Sequence, residues 1–444
     1  MRRMLWVMTL GVTLAARAQV GVRLPGVALP GLPLGAQRLA PDVTGPAATL
    51  LQNVRRLRVQ DLVRAHRGAL DTDSDGNAIV RGEVLALSPS DSALQRLAAA
   101  GFVVSRVLTL DALGERMAVL RGPPGSSTRD ALRGARSLDP DGVYDFNHLY
   151  LDVGRVAADE AVESDADLQT PATVGKSRTA PPPQRDNAVA GTGASAAHPR
   201  LGLVDGGVDV QHPVFKDLVI HQHGCASGPV PSDHGTAVAS LMAGRSRDFQ
   251  GAAPGAELYV ADVYCGQPTG GTVDTLAEAC SWLVQEGVPV INISLVGPPN
   301  RMLERVIRIM IDRGHLVVAA VGNDGPAAPP LYPAAYPDVI GVTGVDGRQR
   351  VLVEAERGAQ VRFAAPGADM AAAGPASSYA AVRGTSFAAP IVAGLLGSHL
   401  QTPSRAEALA ALADLTRQAI DLGAPGPDFV YGNGLVGGHV PYVK

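Results

Sequence analysis

Gly384-Thr385-Ser386-Phe387-Ala388-Ala389-Pro390 sets a serine where a small-residue turn meets the apolar run Ile391-Val392-Ala393-Gly394-Leu395-Leu396. The run predicts a buried helix with Ser386 at its N-terminus, where free backbone N–H groups and the helix dipole favour negative charge. That setting suits a nucleophilic serine, because an anion formed beside it is stabilised without any side chain moving. It equally suits a serine that only caps a core helix. The surrounding chain decides between them.

Outward from that stretch, short continuous apolar segments alternate with helical ones from residue 200 onward. Strands are expected at 201–204, 257–263, 289–293, 316–321, 339–342 and 361–364. Helices are expected at 236–243, 273–285, 302–312, 386–400 and 404–418. Apolar strands between helices predict a mostly parallel, doubly wound α/β sheet covered on both faces. Working residues in such sheets lie beyond the carboxyl ends of the strands. Asp205 directly follows the first strand, and Asn323 follows Val317-Val318-Ala319-Ala320-Val321-Gly322. His234 opens an apolar helix in Ser232-Asp233-His234-Gly235-Thr236. Singly, these residues read as a turn cap, a turn asparagine and a surface histidine. Together they fill every role of one site. Serine needs a base, histidine needs a carboxylate to hold its tautomer, and a tetrahedral intermediate needs donors for its oxyanion.

The three blocks Val204-Asp205-Gly206-Gly207-Val208-Asp209, His234-Gly235-Thr236 and Gly384–Pro390 resemble those of the subtilisin-like serine proteases, over about residues 200–440. Their order matches that of subtilisin. The resemblance implies that Asp205 orients, His234 is general base, Ser386 attacks and Asn323 donates to the oxyanion. It also implies that Ser294, Leu295 and Val296 line the substrate strand. One departure is Gly206, which stands where the family usually has Ser or Thr. No metal site or cofactor is expected. Upstream, Asp71-Thr72-Asp73-Ser74-Asp75-Gly76 opens like a calcium loop, but Gly82 holds the closing position and Glu83 comes one residue late. A solvated acidic turn is the preferred reading there.

The N-terminal half has its own organisation. Met1-Arg2-Arg3, an apolar run and Ala16-Arg17-Ala18 make a secretory signal peptide over 1–18, too short to span a bilayer. Export to the periplasm or the exterior follows, with no stable membrane span. Residues 19–77 read as a Pro/Gly-rich arm and a basic helix. Over 78–152, strands at 79–87, 102–110, 117–120 and 143–151 and helices at 90–100 and 127–138 give the order βαββαβ of a ferredoxin-like fold. Residues 153–198 are acidic and Pro-rich, a linker by composition. A catalytic domain over 199–444 completes the chain. By resemblance the small unit is a propeptide-type domain, so the enzyme's own N-terminal domain is expected as an inhibitor partner.

The net charge of −4 gives no reason to expect nucleic-acid binding. The three cysteines, Cys225, Cys265 and Cys280, allow three pairings. Cys225–Cys265 is favoured because both lie in Gly-containing loops beside strand ends, whereas Cys280 falls inside a predicted helix. The reading is an exported serine endopeptidase acting on protein or peptide substrates through an acyl-enzyme on Ser386. A serine esterase, a narrow-specificity processing protease and a non-catalytic binding protein on a protease scaffold are the alternatives.

Overall fold

A computed structural model describes residues 46–156 and 198–438. The expected signal peptide, most of the expected arm and most of the expected linker lie outside the described residues. Helix α1 spans Pro46–Ala65, and β1 (Leu70–Thr72) leads into β2 (Ala78–Leu87). Then follow α2 (Asp91–Ala99), β3 (Val103–Leu110), β4 (Glu115–Arg121), α3 (Thr128–Leu138) and β5 (Val143–His148). Ser90 and Ser127 cap the two helices by accepting from Ala93 N–H and Asp130 N–H. The sheet runs β5-β2-β4-β3 with all pairs antiparallel and β1 on β2, which is the ferredoxin-like arrangement.

The expected strand over 143–151 is broken. β5 stops at His148, and β6 (Leu151–Asp152) leaves the small sheet to pair elsewhere. Between them Tyr150 is fully buried, donating through its hydroxyl to Pro298 O (2.6 Å) and through its N–H to Gly271 O (2.7 Å). Burying that ring against the second sheet outweighs two more residues of ladder. β7 (Arg155–Val156) follows at once.

The larger part contains β8 (Arg200–Asp205), β9 (Ile220–Gly224), α4 (Asp233–Ala243), β10 (Glu257–Asp262) and α5 (Val273–Gln285). It continues with β11 (Val290–Ile293), β12 (Leu295–Val296), α6 (Arg301–Asp312), β13 (Leu316–Ala320), β14 (Ile340–Val345) and β15 (Val361–Pro366). A hairpin of β16 (Ala368–Ala373) and β17 (Tyr379–Arg383) precedes α7 (Thr385–Gly397) and α8 (Arg405–Gln418). Seven parallel strands pair in the order β15-β14-β13-β11-β8-β10-β9. The chain winds outward from β8 to β9 and β10 on one side, then returns to build the other side from β11. This reversal leaves a crevice at the carboxyl ends of β8 and β11. Helix α7 is buried along nearly its whole length, which explains its lack of a polar stripe. Hairpin β16–β17 and the two-residue strands carry no periodic signal and are absent from the sequence reading.

The ferredoxin-like sheet packs on α5 and α6. Asn300 caps α6, its Oδ1 accepting from Met302 and Leu303 N–H, while its Nδ2 donates to Phe146 O (2.9 Å) and His148 Nδ1 (3.0 Å). That leaves His148 Nε2 to donate to Asp73 Oδ2 (3.1 Å). Asp73 also accepts from Asp75 N–H, Asn77 N–H and the Asn77 amide. Its oxygens are therefore satisfied by the protein itself, and Asp73 is buried, so this acidic turn is not the solvated one expected from sequence. Burial pushes the Asp73 carboxyl up, but the bonds from His148 and Asn77 prevail and hold it at about 2, below its ordinary 3.8.

A depressed carboxyl stabilises the fold above its unfolded value and loses that contribution as pH falls through its folded one. Asp73→Asn, made in a Ser386→Ala background, should lower stability at neutral pH by on the order of 2 kcal/mol. It should also flatten the acid limb between pH ~4 and ~2. Urea melts across that range read both effects.

Candidate active site

Each predicted residue sits where an element ends. Asp205 closes β8, His234 is in the first turn of α4, Asn323 follows β13, and Ser386 is in the first turn of α7. All three triad side chains are buried, Asp205 and Ser386 almost completely. His234 Nδ1 lies 2.9 Å from both Asp205 carboxylate oxygens, and its Nε2 lies 3.1 Å from Ser386 Oγ. With Nδ1–H donating to the carboxylate, Nε2 is free to accept the serine proton. Burial alone would lower the imidazole's proton affinity. The Asp205 carboxylate, by charge and hydrogen bond, and Asp152 behind it, outweigh burial and raise it above the ordinary 6.5.

Gly206, the departure from the usual Ser or Thr, has a local cause. Its N–H donates to Asp205 Oδ1 (2.7 Å), and a Cβ there would lie 2.8 Å from Ser232 Cβ. Ser232 is the N-cap of α4, accepting from Gly235 N–H (3.0 Å). The residue after the aspartate has no side chain because the cap that aims His234 fills that space.

Asn323 and the start of α7 hold one another. Thr385 N–H donates to Asn323 Oδ1 (3.1 Å), and Gly322 N–H donates to Thr385 Oγ1 (3.3 Å). This fixes the amide so that Nδ2 faces the crevice. Gly384 has φ 140°, and a Cβ on it would lie 2.8 Å from Asn323 Nδ2. Ser294 Oγ donates to Ser386 O (2.9 Å) and accepts from Asn292 Nδ2 (2.8 Å). Of the three expected strand-lining residues, then, Ser294 turns its side chain to the nucleophile's own backbone. Leu295 and Val296 form a strand edge.

That edge is occupied by the chain itself. β6 pairs antiparallel with β12, Asp152 opposite Leu295 and Leu151 opposite Val296. On the far side, β7 pairs antiparallel with β17, Arg155 opposite Arg383 and Val156 opposite Val382. Between the two pairings lies the Val153–Gly154 peptide. The Val153 carbonyl oxygen accepts from the Asn323 amide and lies 2.9 Å from Ser386 Oγ. A Cβ on Gly154 would collide with Ser386 Oγ and the Phe387 ring. Helix α1 adds Arg58, whose guanidinium reaches Asp152 Oδ1 (2.6 Å), and Arg55, 3.4 Å from Asp324. Val153, Gly154, Gly271, Arg55 and Arg58 were missed by sequence reasoning. No pattern marks two-residue strands whose partners lie far along the chain.

The Cys225–Cys265 disulfide is formed, tying the loop after β9 to the loop after β10. Cys280 is buried, and burial pushes its thiol up to about 12, so it is inert.

The model of the subtilase family, peptidase S8, matches residues 196–434. The chain belongs to the subtilase family. An alkaline protease of Alkalihalobacillus alcalophilus is 32% identical over 299 residues, covering 64% of this chain and 75% of that one. Subtilisin Savinase of Lederbergia lenta is 33% identical over 270 residues, covering 59% of this chain and 95% of its own length. The fold is shared with fervidolysin of Fervidobacterium pennivorans, at a TM-score of 0.64 and 19% identity. That match covers 84% of this chain and 63% of the fervidolysin chain. Family membership and the buried Asp-His-Ser arrangement make the protein a serine endopeptidase. Among the described residues no helix is long and apolar enough to cross a membrane.

A base must be unprotonated to act, so the raised proton affinity of His234 places the acid limb of kcat/KM on peptides above pH 6.5. Asp205→Asn should shift that limb downward and cost about 10⁴-fold in kcat. Initial rates from pH 5 to 10 on both forms check the two effects.

Proposed function

We propose that the chain is the uncut precursor of an exported endopeptidase, with Val153–Gly154 as its first substrate bond. Ser386 Oγ attacks the Val153 carbonyl carbon while His234 Nε2 takes its proton. Asn323 Nδ2, joined by the backbone N–H of Ser386, stabilises the oxyanion. His234 then gives the proton to the Gly154 nitrogen as the C–N bond breaks, and water releases Val153 from the acyl-enzyme. Until it leaves, the ferredoxin-like unit fills the cleft as a substrate-like inhibitor.

One observation carries this reading. The Val153 carbonyl lies on both the Asn323 amide and the Ser386 hydroxyl, with β-pairing on either side of it. The linker over 153–198 does not lengthen the reach, because β6 lies just before it and β7 at its very start. The basic n-region, apolar core and small-x-small site of residues 1–18 support export. Occupancy of the cleft by an extended peptide favours peptide bonds over simple esters. Cleavage of a protein such as casein, compared with hydrolysis of small esters, separates the two.

Purified wild-type chain should yield a fragment starting at Gly154, read by intact mass. Ser386→Ala should remain uncut and lose all labelling by a fluorophosphonate. Asn323→Ala should label but cut about 10²–10³-fold more slowly. A labelled Ser386→Ala chain would refute the nucleophile, and a mature start at Gln19 would refute the processing site.

A further inference from the structure

A second aspartate closes the strand beside β8. Asp262 ends β10, opposite Asp205 in the parallel register, and is buried. Backbone N–H groups from two loops meet its carboxylate. Oδ2 accepts from Val230 N–H (2.8 Å), and Oδ1 accepts from Tyr264 N–H (3.0 Å) and Cys265 N–H (2.9 Å). A buried carboxylate is costly unless it is hydrogen-bonded, and an apolar residue would close β10 without that cost. The peptidase reading so far gives this charge no role.

The first of the two loops leads straight to the catalytic histidine. Pro229-Val230-Pro231 runs directly into Ser232. Proline has no N–H and a fixed φ, so this segment is stiff and Val230 supplies its single backbone donor. Asp262 takes that donor. One residue on, Pro231 bridges Gly207, and Ser232 N–H donates to Gly207 O (2.8 Å). Ser232 then caps the helix whose first turn carries His234. A tilt of the Pro-Val-Pro strut therefore reaches both the cap of α4 and the backbone just after Asp205. The Cys225–Cys265 disulfide joins the same two loops, but Gly228 separates Cys225 from Val230, and a glycine passes position on poorly. The second loop walls the cleft. Tyr264 donates through its hydroxyl to Tyr150 O (2.9 Å), and Gly271 O accepts from Tyr150 N–H.

The structure assigns to Asp262 the role of a positioning residue for peptide cleavage, its Oδ2 setting the His234 helix through Val230 and its Oδ1 setting the cleft wall through Tyr264 and Cys265. It touches no reacting atom and acts only through those backbones. The inference rests on the peptidase reading of the same cleft. Its two oxygens have separable effects. In Asp262→Asn the amide oxygen keeps the donors of Tyr264 and Cys265, which leaves the NH2 group facing Val230 N–H, a donor against a donor. The histidine side is then released while the wall that binds substrate stays in place.

The test compares kcat and KM on a peptide amide for the processed wild type, Asp262→Asn and Val230→Pro. Val230→Pro, at an exposed side chain, removes the same donor and leaves the carboxylate intact. Variants too slow to cut themselves are matured by tagged wild-type enzyme, which is then removed. Active sites are counted by fluorophosphonate titration, so a poorly folded variant is not mistaken for a slow one. Both substitutions should lower kcat about 10- to 100-fold, as small misplacements of a catalytic group do. KM should stay within about 3-fold of the wild type, because uniform binding is untouched. Unchanged kcat in both variants, or a loss that falls on KM instead, overturns the assignment. Failure of both variants to fold would make Asp262 a structural residue and overturns it equally. A wild-type chain that cuts neither itself nor the peptide would instead refute the peptidase reading.

Discussion

The antiparallel pairing of Leu151–Asp152 with Leu295–Val296 governs this molecule. Two residues on each side are enough, because β12 is already anchored. Ser294 is bonded to the backbone of Ser386, and Leu295 and Val296 are fully buried. A strand added to that edge has no freedom of register, since a one-residue slip would turn Asp152 inward and Leu151 outward. With register fixed, Val153 can only present its carbonyl to Asn323 and Ser386. The departure of β6 from the small sheet and the burial of Tyr150 follow from the same pairing.

The catalytic apparatus is itself a set of mutual constraints. Ser232 caps the helix bearing His234 and takes the space beside Gly206, whose N–H supports Asp205. Thr385 steadies Asn323, and Ser294 steadies Ser386. No triad member relies on its own conformational preference. Each is positioned by a neighbour with a second role in capping a helix or closing a strand, which is how first contacts of a site are kept in place.

Much of this was legible in sequence because the relevant signals are local. An apolar strand ending in Asp205, a capped helix opening at His234 and a glycine turn before Ser386 are each readable within ten residues. The βαββαβ order was readable for the same reason, and so was the disulfide's preference for Cys225 and Cys265. What escaped depends on contacts between distant segments. The segment of α1 read only as a basic helix without partners, yet Arg55 and Arg58 reach Asp324 and Asp152, more than ninety residues away. The composition of residues 153–156 is that of a linker, and only the waiting edges of β12 and β17 make strands of its ends. Gly206 read only as a departure from the usual Ser or Thr, because the sequence does not show that Ser232 lies against it.

Helix α1, the small sheet and β6 form one continuous stretch of chain that runs up to Val153. Before a cut at that bond, the segment meets the cleft at the high effective concentration of a tethered partner. After such a cut, the β6–β12 pairing and the same two arginine contacts would hold a separate molecule without the help of β7, and occupancy would depend on the amount of protein in the surroundings. The geometry of the cleft need not change at all. Dilution on passing from a crowded compartment to an open one would itself favour the free site, so a cut inside the molecule would convert concentration into a signal.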